Sequence, residues 1–121
     1  MREPMNDGRP IFVQIAEHIE NEILEGSLEE LGQVPSTNQF ATFYKINPAT
    51  AAKGVNLLVN EGILYKKRGI GMFVAEHARE KLIEKRKKTF FNDYVAAMLH
   101  EAEKLQIEKE TLIQMIEDGQ K

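Results

Sequence analysis

The sequence predicts a mainly α protein with a small β-hairpin: an N-terminal winged helix-turn-helix followed by a C-terminal two-helix segment. Three observations carry this expectation. Two short helical patterns flank a tight turn at Lys45 and Ile46. A basic, glycine-containing hairpin follows at residues 63–75. Beyond it, apolar residues at three-and-four spacing run nearly to the C-terminus.

The first helix is expected over Pro10 to Glu25. Pro10 suits a first helical turn, where its missing N–H is not needed. Ile11, Ile15, Ile19 and Ile23 recur every four residues and mark a core-facing stripe. Gly26 fits the position just past the helix end. Ser27 to Val34 reads as a connection.

Ser36 then caps a short helix over Thr37 to Tyr44, with Phe40, Ala41 and Tyr44 as buried candidates. Asn47 caps the next, over Pro48 to Asn60, with Pro48 at its first position. Ala51, Val55, Leu58 and Val59 give that helix an apolar face. Asn47, Ala49, Thr50 and Lys53 fall on the opposite side. Gly62 ends the helix. Ile63 to Lys66 and Met72 to Ala75 read as paired strands, joined by Lys67, Arg68, Gly69, Ile70 and Gly71.

Charge is distributed in blocks. The chain is net −3, yet residues 34–75 hold five Lys/Arg (Lys45, Lys53, Lys66, Lys67, Arg68) against the single acid Glu61. Residues 17–30 carry six acids and no Lys or Arg, which would repel phosphate. A basic helix-turn-helix and wing inside an acidic chain is the electrostatic footprint of a duplex-DNA reader. Base contacts then belong on the face opposite the apolar stripe, which holds Thr50 and Lys53. Asn47 serves as a cap in either case. Lys66, Lys67 and Arg68 beside Gly69 and Gly71 are placed for phosphate or minor-groove contact. Gly71 alone is equally explained by the turn. Ser36 reads first as a cap, a role compatible with phosphate binding. Asn38 and Gln39 are candidates for phosphate or base edges. The run from Arg79 to Lys88 reads first as a solvated face, with an extension of the phosphate footprint as the alternative.

Other classes are excluded or unsupported. With no cysteine, disulfides, thiolate metal sites and a cysteine nucleophile are excluded. His18, His77 and His100 lie in separate elements and suggest no metal site. No nucleophile–base pair or phosphate-binding glycine loop points to an enzyme, and no cofactor is expected. The N-terminus MREPMNDGRP has no apolar leader core, and no run of about 18 apolar residues suggests a membrane span. A cytoplasmic location is expected.

Residues 76–121 are expected to form two amphipathic helices broken near Gln106 to Lys109. With no core left to cover, their apolar stripe needs a partner, most simply a second copy. The expected dimer interface is Phe91, Tyr94, Val95, Met98, Ala102, Leu105, Leu112 and Ile116. Residues 9–75 form the DNA-binding domain in this division, and 76–121 the dimerisation segment.

The segments RPIFVQIAEHIENEILEG, VPSTNQFA and INPATAAKGVNLLVNEGILYKKRGIGMFV together resemble the GntR family of bacterial transcription regulators, in particular its small YtrA-like branch. The resemblance implies a dimeric repressor with its third helix in the major groove and its wing tip in the adjacent minor groove. It also implies an inverted-repeat operator and a short helical tail in place of a large ligand domain. A small-molecule effector is left open. The chain departs from the family pattern where arginines are usual, with Asn38 and Lys53 instead, and shows Glu30-Leu31-Gly32 in place of a Pro-Gly turn. Bidentate guanine readout by arginine is therefore absent there, and base readout falls to Ser36, Asn38, Gln39, Thr50 and Lys53. The competing reading is a winged-helix module that binds protein and not DNA.

Overall fold

The computed structural model describes residues 8–119, in two compact units, the first ending at Glu84 and the second beginning at Lys85. The stretch through Asp7, read above as lacking a leader core, and the last two residues of the tail lie outside the described residues.

In the first unit, α1 spans Ile11–Glu25. Pro10 stands at the N-cap and not inside the helix; its carbonyl accepts the N–H groups of Val13 and Gln14 at 3.1 and 3.3 Å. The difference is one residue, because a proline with ψ near 138° is extended and only its carbonyl joins the helix. Gly26 ends α1 at φ 91°, a left-handed conformation that glycine adopts without strain. Ile15, Ala16, Ile19 and Ile23 are buried, as their spacing requires.

Helix α2 (Thr37–Tyr44) and helix α3 (Pro48–Asn60) form the helix-turn-helix. Lys45 turns the chain at φ 57°, and the Ile46 N–H donates to the Ala41 carbonyl at 3.0 Å. Gly54 lets α3 approach α1 closely: a Cβ there would lie 2.7 Å from the Phe12 carbonyl oxygen.

The sheet has three strands, not two. Strand β1 (Gln33–Val34) lies in the segment expected to be a plain connection. It pairs antiparallel with β3 (Gly71–Val74), which pairs in turn with β2 (Leu64–Lys67), in the order β1-β3-β2. Val34 opposes Met72, and Tyr65 opposes Phe73. Both hairpin strands sit one residue from their expected bounds.

One core closes the unit. Ile15, Ile19, Ile23, Val34, Phe40, Val55, Leu58, Leu64 and Val74 meet in it, together with Ala78 and Leu82 from the start of the next helix, α4 (Ala78–Phe90). Burying a side chain such as Leu82 contributes about 1.5–3 kcal/mol.

In the second unit, the helical path continues through a π-helical turn at Phe91–Val95 into α5 (Ala96–Lys104). Gln106 turns at φ 60° and α6 follows over Lys109–Gly119. The break falls where the sequence places it. The π turn departs from the ordinary helix that the spacing predicts. It inserts one residue and so rotates the side chains of α5 by about 100° relative to an unbroken helix.

Candidate nucleic-acid interface

The start of α2 is built by a reciprocal cap. Ser36 Oγ accepts the Gln39 N–H at 3.1 Å, while the Ser36 N–H donates to Gln39 Oε1 at 2.7 Å. Ser36 is thus committed to the helix end. Gln39 keeps its amide NH2 as the donor it can still offer. Asn38 between them is exposed. Asn47 Oδ1 accepts the Ala49 N–H at 2.7 Å and caps α3, as its type and position predict.

On α3 the apolar residues Ala51, Val55 and Leu58 are buried. Asn47, Ala49 and Lys53 are exposed and Thr50 is half-buried. Lys53 is not a free chain in solvent. Its ammonium lies over the Phe12 ring, 4.2 Å from the centroid, in cation–π geometry.

The hairpin tip carries Lys66, Lys67, Arg68, Gly69 and Ile70, all exposed. The Ile70 N–H donates to the Lys67 carbonyl at 2.9 Å, and Gly69 takes φ 77° to close that turn. Beneath it, Tyr65 and Phe73 stack with centroids 5.8 Å apart. Lys67 Nζ sits 4.6 Å from the Phe73 centroid and 6.0 Å from that of Tyr65. From β1, Gln33 Nε2 donates to the Ile70 carbonyl at 3.3 Å, so the third strand braces the tip. A Cβ on Gly71 would meet that same Nε2 at 2.5 Å and displace the Gln33 amide, while φ 148° is what calls for glycine.

The first unit therefore holds Ser36, Asn38, Gln39, Asn47, Ala49, Thr50 and Lys53 on the helix-turn-helix, and Lys66 to Gly69 with Gly71 on the wing. Sequence reasoning missed Phe12, Gln33, Tyr65 and Phe73. The Tyr65–Phe73 pair was available from hairpin register. Phe12 and Gln33 act across long sequence separations and leave no local signal.

Part of the acidic block is engaged within the fold. Glu17 pairs with Arg9 at 2.6 Å, Glu22 lies 3.6 Å from His18, and Glu20 is buried. Arg79 and Lys81 are exposed, as a solvated face requires, and each also holds a backbone carbonyl. Arg79 Nε donates to the Leu24 carbonyl and Lys81 Nζ to the Gly62 carbonyl, each at 3.3 Å. Both cations thereby serve carbonyls at or just past helix C-termini. Tyr44 packs edge-on to His18 and to Phe43. Burial, then the Glu22 carboxylate, push its hydroxyl pKa up to about 12.

In the second unit, Phe91, Tyr94, Met98, Leu105 and Ile116 are exposed in the protomer, and Val95 and Leu112 are half-buried. Ala102 is different: at 7% exposure it is already covered within the protomer. Phe90, Leu99, Ile113 and Met115 add exposed apolar surface. No helix among the described residues is long and apolar enough to cross a membrane, and no group of three or more His, Asp or Glu among them could hold a metal ion.

Comparison with known proteins agrees with this architecture. The chain is 29% identical over 109 residues to the HTH-type transcriptional repressor YtrA of Bacillus subtilis (strain 168), covering 90% of this chain and 83% of that one. Its fold matches a GntR family transcriptional regulator from Listeria monocytogenes with a TM-score of 0.73 at 27% identity, over 94% of this chain and 98% of the other. A crystal structure of AraR(DBD) in complex with operator ORX1 matches with a TM-score of 0.55 at 28% identity, over 62% of this chain and 92% of that one. The model of the bacterial regulatory proteins of the gntR family matches residues 12–74, from Phe12 of α1 to the last residue of the wing. The chain belongs to the GntR family, whose members are DNA-binding transcription regulators and not enzymes.

Proposed function

We propose that the chain is a cytoplasmic transcription repressor that binds an inverted-repeat operator as a homodimer. Helix α3 enters the major groove with Thr50 and Lys53 toward the bases. The β2–β3 hairpin reaches the adjacent minor groove with Lys66, Lys67 and Arg68. The observation that carries this reading is the exposure of Lys53 on α3 and of Lys66, Lys67 and Arg68 on the wing, in a chain whose net charge is −3. AraR(DBD), matched over 62% of this chain, was solved in complex with its operator, which supports operator DNA as the ligand of this chain.

Pairing is assigned to the tail. Phe91 and Tyr94, 56% and 62% exposed, with Met98, Leu105 and Ile116 give the second unit more open apolar surface than a lone helical segment stably presents to water. A two-fold pair would set two α3 helices about one helical turn of DNA apart, or a multiple of it. Bound across a promoter, such a dimer excludes polymerase.

Selection of duplexes from a random library, followed by footprinting, tests this directly. The expected product is an inverted repeat whose half-site centres lie about 10 bp apart or a multiple of that. Enrichment of a single, unrepeated site would remove the dimeric reading. No enrichment at all would remove sequence-specific binding.

A further inference from the structure

We propose that Phe12 is a positioning residue for DNA recognition: its ring holds the Lys53 ammonium in place on the face of α3. This rests on the assignment of Lys53 as a DNA contact. A lysine head is a point charge on a flexible four-carbon stem, with none of the planar pre-organisation of a guanidinium. Something else must restrict it if it is to read a fixed position. The Phe12 ring, 4.2 Å from Nζ to centroid, is that restraint.

The Phe12 side chain is half-buried and its backbone is held in α1. Phe12 lies in the first turn of α1, between the Pro10 cap and the buried Gln14 and Ile15. Its backbone meets α3 at Gly54, the residue after Lys53, where a Cβ would approach the Phe12 carbonyl to 2.7 Å. That close approach brings the Phe12 backbone next to the turn of α3 that carries Lys53. Phe12, Ala52 and Leu57 also line a shallow recess with Lys53 itself, which offers its methylene stem apolar neighbours. The wing repeats the arrangement, with Lys67 Nζ over the Phe73 ring at 4.6 Å. In both places a lysine on the basic face is seated on an aromatic from a neighbouring element or strand. α1 thus contributes to recognition through Phe12 without reaching the DNA.

The test is a double-mutant cycle on the full chain, read by fluorescence anisotropy. The probes are a duplex selected by the wild-type protein and a random duplex of equal length. The variants are Phe12→Leu, Phe12→Tyr, Lys53→Met and the Phe12→Leu/Lys53→Met pair, each first checked for a cooperative thermal transition. Lys53→Met is expected to weaken binding to the selected duplex at least about 10-fold, the range for loss of a hydrogen bond from a charged donor. Phe12→Leu is expected to weaken it about 2- to 5-fold, in line with a cation–π pair at an exposed site. Phe12→Tyr, which keeps the ring face, retains wild-type affinity. In the Lys53→Met background Phe12→Leu costs nothing further.

Several results overturn the proposal. An undiminished Phe12→Leu loss in the Lys53→Met background would assign the ring to the fold alone. Tighter binding by Phe12→Leu would mean that the ring parks Lys53 away from DNA. A wild-type Phe12→Leu beside a weakened Lys53→Met would end the role of Phe12 and leave Lys53 as a contact. A neutral Lys53→Met would end both.

Discussion

The carboxylate of Glu30 accepts the backbone N–H of His77 at 3.0 Å, across 47 positions of sequence, and that of Arg79 at 3.4 Å. His77 precedes α4 in a left-handed conformation, φ 66°, so Glu30 supplies the helix cap from another element. A negative charge there also favours the positive end of the helix. Glu30→Ala is expected to destabilise the first unit by about 1 kcal/mol. Thermal unfolding should show a fall in Tm of about 4–8 °C for a unit of this size. An unchanged Tm would mean that water replaces the carboxylate at no cost.

The Gln33 amide lies against Gly71 beside the wing tip, where a Cβ would meet it at 2.5 Å. Gly71→Ala forces a side chain into φ 148° and against the Gln33 amide. The wing should lose about 1–3 kcal/mol of local stability. Hydrogen exchange at the hairpin tip should rise, and operator affinity should fall. Adding Gln33→Ala removes the clash but not the strained dihedral, so recovery should be partial. Full recovery would show that the dihedral carries no strain.

Tyr44 makes stability pH-dependent on the alkaline side. Its folded-state pKa, pushed up to about 12, lies above the unfolded value of 10.0. Between the two, the folded chain holds the proton that the unfolded chain has released. Stability from this group is therefore intact below about pH 10 and is lost as pH rises toward 12. Denaturant midpoints measured from pH 8 to 12 should decline in that window. Tyr44→Phe should flatten the decline without altering stability's pH dependence below it.

The exposed stripe of the second unit predicts the oligomeric state. Tyr94→Lys and Met98→Lys place charges where the proposed pairing buries carbon, and should convert the dimer to monomer in sedimentation velocity. The protomer should keep its helical circular dichroism. If both variants sediment with the wild type, pairing lies elsewhere.

Much of the fold is legible in the sequence because it is written locally. Ser36, Asn47 and Pro48 lie within a turn of the helices they begin, and the isoleucine stripe of α1 repeats inside a single element. Gly69 and Gly71 mark the hairpin by themselves. Strand β1 was hidden because two residues cannot show an alternation, and its partners Met72 and Phe73 lie far along the chain. Phe12 was hidden for the same reason: its pairing with Lys53 exists only once α1 packs on α3. Arg79 and Lys81 read as part of a solvated run, and nothing in a charge pattern reveals the carbonyls of Leu24 and Gly62 that they also hold. The π turn interrupts a stretch whose spacing reads as an ordinary helix, so side-chain directions beyond Val95 could not be read from period alone.

The claim that the basic face of α3 and the wing reads DNA is tested most directly by a gel shift on the selected operator across a salt series. Wild type, Lys53→Glu and Arg68→Glu would be compared. The account predicts a specific shift whose log affinity falls linearly with log salt, and its loss in both variants. Wild-type shifts from both variants would contradict it and place the DNA-contacting surface elsewhere.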